Sequence, residues 1–315
     1  MSRKPFIALV AVSAALLGAS ACSSGGGGDV TVVEAAATPQ FLAEAADRTA
    51  AVESGRYELR LAIPATDEVP GGLTITGSGA FDAASDRSSL SIDMSGILDA
   101  ASETEVEGFD PSALFGDGTI EMVIDGDTIY VHAGFLSAFL GGDESKPWVK
   151  LPADEGIDVG DLGGGMGDAT ALLDLLRDQG ATITDEGSAD VNGETTQHFH
   201  ATISAADALA SAPAENEGKA EEFIQEFGVD PATLEIPVDV FVDAQGLVRR
   251  LEMTFDGASF AGGFDGTESL PDGPIVLTID FLELGESVTI DLPPADQVAD
   301  GEELKQMFAD GMLGS

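Results

Sequence analysis

The chain has 315 residues, and its 57 acidic residues outweigh 13 lysines and arginines to give a formal net charge of −44 at pH 7. Nucleic acid is excluded as a partner because binding it depends on Lys and Arg side chains that neutralise phosphates, and a basic contact with anionic lipid headgroups is excluded likewise. The hydrophobic fraction of 43% is ordinary for a folded protein, so general disorder is excluded as well. The acidity fits either a surface adapted to high salt or a gain in solubility.

The first 21 residues have the pattern of a secretory signal peptide. Arg3 and Lys4 precede an apolar run over residues 6–17, and small residues follow at 18–21. The run is too short for a helix that spans a bilayer, which needs about 20 residues. The sequence therefore predicts an exported protein whose leader, residues 1–21, is removed.

Cys22 is the only cysteine and follows directly after the small residues. A cysteine in this position, before a glycine-rich stretch, resembles a bacterial lipobox, in which Cys22 carries a lipid and residues 22–37 form a flexible tether. The protein would then be anchored to the outer face of the cytoplasmic membrane. The alternative is ordinary cleavage after Ala21, which would leave Cys22 as a free thiol. With one cysteine, no intramolecular disulfide can form.

The mature chain starts with an amphipathic helix and then changes to the two-residue period of β-strands. Thr38 is a predicted N-cap, Pro39 takes the first helical position, and Ser54-Gly55 ends the apolar spacing. Alternating strands follow, and Asp125-Gly126 between two of them is a strong hairpin signal. These strands are predicted at about 57–63, 73–81, 90–94, 120–124, 129–131 and 147–152.

The second half repeats this pattern of helices and hairpins. A glycine-rich loop at 160–167 precedes a short helix at 168–180, and helical segments are also predicted within 204–227 and at 302–312. Asn192-Gly193 is a predicted hairpin turn. Strands are predicted at about 181–185, 195–203, 238–243, 247–255 and 275–281, and a final strand holds Val288, Ile290 and Leu292.

This order of elements predicts a mainly β fold of the α+β class. We expect a curved antiparallel half-barrel whose helices cover its concave apolar face. One domain over 38–295 and a C-terminal helix or tail over 296–315 follow the tether. The alternative is two domains that divide near the glycine loop at 160–167.

Several of these segments together resemble a known family. They are Ser54-Gly55 before Tyr57-Glu58-Leu59, the hairpin 124–130, Trp148-Val149-Lys150 and the strand 237–243, all after a lipobox cysteine. In this order they resemble the LolA/LolB-like superfamily, and most nearly the LppX/LprG group of actinobacterial envelope lipoproteins. The resemblance covers nearly the whole mature chain. It implies a half-open barrel that carries lipids or lipoproteins and has no catalytic residues.

The resemblance also implies which residues would face a lipid or glycolipid ligand. They are the inward alternates of the strands: Leu59, Leu61, Leu90, Ile92, Met122, Ile124, Val238, Val240, Leu251, Met253, Leu277 and Ile279. A curved sheet that its helices do not fill leaves an apolar cavity, which would take an acyl chain or a similar apolar ligand. The alternative is that these residues form an ordinary packed core in a scaffold or sensor lipoprotein that carries nothing. The sequence identifies no protein partner.

Motifs for catalysis are absent from the sequence, so we expect no enzyme. There is no G-x-S-x-G, H-E-x-x-H, P-loop or EF-hand calcium loop. His198 and His200 lie two residues apart on a predicted strand and could face one metal ion, as a metal-dependent hydrolase would require. No cysteine or third histidine accompanies them in that segment, so we expect neither a metal site nor a cofactor.

Overall fold

The computed structural model describes residues 38–65, 71–98, 118–133, 145–152, 182–207, 230–259 and 273–301. These residues belong to one compact unit, Glu34–Ser315. The predicted signal peptide, Cys22, the tether, the glycine loop and the helices predicted at 168–180 and 302–312 lie outside the described residues, as does most of 204–227. Within the described ranges, no helix has the length and hydropathy needed to cross a membrane.

The first element is the helix α1, Pro39–Ala50, which confirms the helix predicted from the sequence. Thr38 is its N-cap, and the Thr38 side-chain oxygen accepts a hydrogen bond from the Phe41 backbone N–H at 3.2 Å. Near the other end, the buried Thr49 hydroxyl donates to the Ala45 carbonyl at 2.8 Å and accepts from the Val248 N–H at 2.9 Å. This second bond ties α1 to a strand almost 200 residues away.

Twelve strands follow in the described part of the chain, and they confirm a mainly β protein. Residues 95–98 and 205–207 are also helical, and short 3-10 helices lie at Gly257–Ser259 and Ala295–Gln297. The strands are β1 Ser54–Ile63, β2 Leu73–Asp82, β3 Arg87–Asp93, β4 Thr119–Asp125, β5 Thr128–Ala133, β6 Trp148–Pro152, β7 Thr184–Val191, β8 Glu194–Ser204, β9 Glu235–Asp243, β10 Val248–Asp256, β11 Pro274–Leu282 and β12 Val298–Asp300.

All twelve strands form one sheet in the order β12-β6-β5-β4-β3-β2-β1-β11-β10-β9-β8-β7. The strands β1–β6 form one antiparallel meander and β7–β11 form a second. Pairing of β1 with β11 joins the two meanders into a continuous ladder. The sheet is open, with β12 and β7 as its two edges, and it does not close into a barrel. One pair departs from the predicted antiparallel arrangement, because β12 runs parallel to β6.

The hairpin turn predicted at Asn192-Gly193 is present and connects β7 to β8. Asn192 has φ 53° and Gly193 has φ 87°. Two successive residues with positive φ are what a two-residue turn needs to match the right-handed twist of its strands. Asn and Gly tolerate that conformation better than other residues, which is why the sequence signal identified this turn.

The final strand predicted at Val288, Ile290 and Leu292 is wrong. Residues 287–294 belong to no strand, and the segment 284–294, here called the strap, lies across one face of the sheet instead. The same three side chains pack on that face. The alternation of apolar residues therefore comes from packing against the sheet and not from pairing with a strand of it. The strap is held by the Gly285 N–H, which donates to the Ser54 carbonyl at 2.7 Å, and by Arg87, which donates to the Ile290 carbonyl at 3.3 Å.

Beyond the strap, β12 pairs with β6 at the sheet edge. This strand lies within the segment predicted to be a C-terminal helix or tail. Three residues carry too short a pattern to be identified from sequence, and only the neighbouring strand gives them a regular conformation.

Candidate ligand-binding face

The strand register divides the sheet side chains between two faces. Along β1, Leu59 and Leu61 lie on one side, here called the apolar face, and Glu58 and Arg60 lie on the other, the polar face. The cross-strand pairs extend this division over the sheet. All twelve residues predicted to face a ligand lie on the apolar face: Leu59, Leu61, Leu90, Ile92, Met122, Ile124, Val238, Val240, Leu251, Met253, Leu277 and Ile279.

The helix α1 covers part of the apolar face over β8–β11. Leu42, Ala45 and Ala46 of α1 are at most 1% exposed and belong to the same buried cluster as Phe199 on β8. The ring of Phe41 lies 5.2 Å from that of Phe199, a common separation for packed aromatic side chains. The helix α1 therefore packs against this part of the apolar face.

A second buried cluster lies on the same face at the other side of the sheet. It joins Met122 of β4, Ile129 and Val131 of β5, and Val149 and Leu151 of β6. Each of these side chains is at most 9% exposed. The apolar face thus has two separate closed regions, one in each meander.

Between the two clusters the burial is incomplete. Of the twelve predicted positions, Leu59, Met122, Val238, Val240, Leu251 and Ile279 are buried, whereas Leu61, Leu90, Ile92, Ile124, Met253 and Leu277 are only half-buried. Four half-buried side chains stand in register across β10, β11, β1 and β2. This apolar row is Met253, Leu277, Leu61 and Ile75. Ile75 was not among the predicted positions, although the same alternation along β2 could have identified it.

Beside the apolar row, two glycines of β2 make room for side chains of β1. A Cβ atom at Gly77 would lie 2.8 Å from Leu59 Cδ1, and one at Gly79 would overlap the ring of Tyr57. The Tyr57 hydroxyl donates a hydrogen bond of 3.3 Å to the Ser89 carbonyl, and burial raises the pKa of Tyr57. This part of the face is therefore filled by the protein itself.

The basic residues of the described strands lie almost entirely on one face. Arg56, Arg60, Arg87, Lys150 and Arg250 all point to the polar face. Arg249 is the exception among the described strands; it lies within a bulge of β10, where it pairs with Asp243 at 2.6 Å and with Glu194 at 3.0 Å. The apolar face therefore offers a bound molecule hydrophobic contact rather than a counter-charge.

The two histidines considered as metal ligands lie on the polar face. His198 Nε2 is 2.7 Å and His200 Nδ1 is 3.0 Å from the same oxygen, Asp239 Oδ1. The His198 ring also stacks on Phe241 at a centroid distance of 4.4 Å. The described residues contain no group of three or more side chains arranged to hold a metal ion. In this arrangement the two imidazoles share one carboxylate as their hydrogen-bond partner.

Comparisons with known proteins found no matching protein-family model and no matching curated protein. Solved structures of similar fold include the lipoprotein LppX of Mycobacterium tuberculosis, with a TM-score of 0.42, 16% identity, and coverage of 80% of this chain and 99% of that chain. LprF of Mycobacterium bovis gives a TM-score of 0.41 at 15% identity, and the match covers 82% of this chain and 97% of that chain. A LolA superfamily protein of Nitrosomonas europaea gives a TM-score of 0.25 at 12% identity, and the match covers 82% of this chain and 96% of that chain.

Proposed function

We propose that this protein is a cell-envelope lipoprotein that binds or carries an apolar ligand, a lipid or an acyl chain, on the apolar face of its sheet. It is exported and held at the outer face of the cytoplasmic membrane by a lipid on Cys22. Binding is non-covalent and needs neither a catalytic group nor a cofactor. The observation that supports this proposal is the apolar row Met253, Leu277, Leu61 and Ile75, which stays half-buried on four central strands, near one end of β1 and β2.

The position of the apolar row is what makes it informative. Strands at the centre of a sheet are flanked on both sides, so their apolar side chains are normally the most completely covered. Here Phe199 on β8, near an edge, is fully buried, whereas Leu61 on the central strand β1 is not. Apolar surface left open near one end of the central strands is surface that a ligand can cover.

Hydrophobic burial alone supplies enough energy for such a ligand. Each methylene group removed from water contributes about 0.8 kcal/mol, so a chain of several methylenes binds usefully without a polar contact. The absence of strand lysines and of unpaired strand arginines from the described apolar face agrees with this mode of binding. A polar headgroup, if the ligand has one, would stay outside the apolar row.

The alternative function is a scaffold or sensor lipoprotein with a filled sheet. It is favoured by the two closed clusters and by Tyr57 and Leu59, which occupy the space left by Gly77 and Gly79. In that case, the half-buried row would be no more than the boundary of two cores. Measurement of bound ligand distinguishes these two functions directly.

The decisive experiment is mass spectrometry of organic extracts from the full chain carrying Cys22→Ser, purified from its own host. The substitution removes the proposed anchor lipid, so any stoichiometric lipid found is a bound ligand. We expect such a lipid, absent from an unrelated exported protein purified alongside. A clean extract together with no uptake of added fatty acid or glycolipid would favour the scaffold or sensor.

A pair of adjacent substitutions then tests the binding face. Leu61→Gln places an amide in the apolar row, and Arg60→Gln places the same side chain on the opposite face of β1. We expect Leu61→Gln to lower the affinity for a fluorescent fatty acid at least about tenfold, the equivalent of 1.4 kcal/mol, and Arg60→Gln to leave it unchanged. Thermal unfolding of both variants shows whether the sheet is intact. Equal affinities in two folded variants would contradict binding at the apolar row.

A further inference from the structure

The polar face contains a groove that the proposed ligand does not use. Its volume is about 680 Å³, and it crosses the strands β10, β11, β1, β2 and β3. Both sides of the groove are lined with charged and hydroxyl side chains. The charged ones are Glu58, Arg60, Asp93, Arg250, Glu252 and Asp280.

One register row runs along the groove and has a symmetrical pattern of chemistry. Glu252 pairs with Thr278, Thr278 with Arg60, Arg60 with Thr76, and Thr76 with Asp93. This polar row therefore reads carboxylate, hydroxyl, guanidinium, hydroxyl, carboxylate. With about 4.8 Å between neighbouring strands, its two carboxylates lie roughly 19 Å apart across four strand steps.

The charges of the polar row are available to a ligand. Arg250 is occupied, because two of its nitrogens donate to Asp280 at 2.6 and 2.8 Å. Among the described residues, Arg60, Asp93 and Glu252 form no ion pair within 4 Å, although the Glu252 carboxylate is near enough to Arg250 to help raise its pKa and also accepts a 3.4 Å hydrogen bond from the Thr278 hydroxyl. The Ser95 hydroxyl and backbone N–H lower the pKa of Asp93, so that end of the row stays ionised.

The neighbouring half of the polar face shows that it accepts an extended chain. The strap crosses β2–β6 there with no strand pairing of its own and packs Ile290 against Ala80 and Val123. The strap uses apolar contacts, whereas the groove is polar and stays open. A second extended segment bound in the groove would cross the strands as the strap does.

We infer that the groove binds an extended segment of a partner protein with basic side chains about six residues apart. An extended chain rises about 3.3 Å per residue, so side chains six residues apart point the same way and are separated by roughly 20 Å. That separation matches the distance between Glu252 and Asp93. Arg60, between them, donates to a backbone carbonyl of the segment, and Thr76 and Thr278 bond its polar groups.

Other classes of ligand fit the groove less well. An anion would meet four carboxylates against two arginines, on a chain whose net charge is already −44. A sugar ring would find no aromatic side chain to stack on among the described lining residues. The field of the whole chain favours cations and accelerates their association at low salt.

The test uses two peptides of one composition and the full chain carrying Cys22→Ser. One peptide has the sequence Lys-Gly-Ser-Gly-Ser-Gly-Lys, blocked at both ends, and its isomer has the two lysines adjacent. We expect the spaced peptide to bind at least about threefold tighter by calorimetry at low salt, and its affinity to fall as salt rises. Equal affinities for the two isomers, or no binding by either, would overturn the inference.

Matched triple variants separate the groove from the general acidity of the surface. Glu58→Gln, Asp93→Asn and Glu252→Gln together remove three groove charges, and Glu53→Gln, Asp86→Asn and Asp127→Asn remove three exposed charges elsewhere. We expect the groove variant to lose at least about tenfold in affinity and the control variant less than about twofold. Equal losses would mean diffuse attraction and would overturn the inference.

Arg60→Gln gives a result that simple attraction cannot produce. The substitution makes the groove more negative, so a site that binds cations by charge alone would bind the peptide more tightly. We expect weaker binding of the peptide because the donor to the peptide carbonyl is lost, and tighter binding of the polyamine spermine, which has no carbonyl and gains only from the more negative groove. Tighter binding of the peptide would overturn the inference. Fatty-acid uptake should be normal in all these variants, so the result is independent of the proposed function.

Discussion

The two faces of the sheet are made by the same strands and yet differ in almost every physical respect. On β1, Leu59 and Leu61 alternate with Glu58 and Arg60, so one residue step separates an interior from a charged surface. The apolar face is closed by burial in two clusters. The polar face carries ion pairs, histidines bound to carboxylates, the strap and the groove.

This difference shows how one sheet can separate stability from recognition. Hydrophobic burial is non-directional and tolerates many arrangements, so the apolar face stabilises the fold and still leaves a central row half-buried. Hydrogen bonds and charges depend on distance and angle, so the polar face is the side on which a defined pattern can be recognised. Substitutions at neighbouring positions on opposite faces should therefore have very unequal effects.

The largest effect is expected from Phe199→Ala, in the cluster under α1. Phe199 is fully buried and contacts Phe41, so its removal should lower the free energy of unfolding by about 3–5 kcal/mol. Urea denaturation followed by circular dichroism measures the loss. His198→Ala, the neighbour on the polar face, should cost only about 1 kcal/mol. Similar losses in the two variants would show that the faces do not divide the stability as described.

A smaller effect is expected from Ile290→Ala in the strap. Ile290 is 7% exposed against Ala80 and Val123, and we expect a loss of about 2 kcal/mol in unfolding free energy. Thr289→Ala is the matched control, because Thr289 is the exposed neighbour on the strap and should change little. Denaturation of both variants would show whether the strap is bound throughout the native state. Equal unfolding free energies for the two variants would mean that the strap is not bound throughout the native state.

The smallest effect concerns pH and the end of the polar row. Ser95 lowers the pKa of Asp93 through its hydroxyl and its backbone N–H, so Ser95→Ala should raise that pKa towards its ordinary value. A lowered folded-state pKa contributes stability above the ordinary aspartate pKa that is lost as pH falls through the lowered value. The variant should therefore lose this contribution at a higher pH. Carbon-13 NMR titration of the Asp93 carboxyl measures the change, and Ser91→Ala should leave the titration unaltered.

Elements with a strong local signal were predictable from the sequence. The N-cap Thr38, the turn Asn192-Gly193 and the alternation of β1 all act through contacts between near neighbours in the chain. The face on which each predicted ligand position lies also followed, because alternation has a fixed period of two. The sequence could not say which of these positions would be buried, since burial depends on what packs above each strand.

The strap and the polar row could not be predicted from sequence patterns between near neighbours. Val288, Ile290 and Leu292 alternate like a strand, and only the position of Ala80 and Val123 turns that pattern into packing across a face. Nothing in the sequence distinguishes Glu252 and Asp93 among the 57 acidic residues, and only strand pairing places their carboxylates at the two ends of one row.

By itself the sequence determined the acidic charge, the first helix, the strand period and the division of each strand into an apolar and a polar side. The tertiary structure decided the strand order, the pairing of β1 with β11, the open sheet, the strap, the half-buried apolar row and the groove. The physical reason is the range of the forces involved. Period, caps and turns depend on residues a few positions apart, whereas register and burial depend on contacts between segments up to more than 200 residues apart, such as β1 and β11.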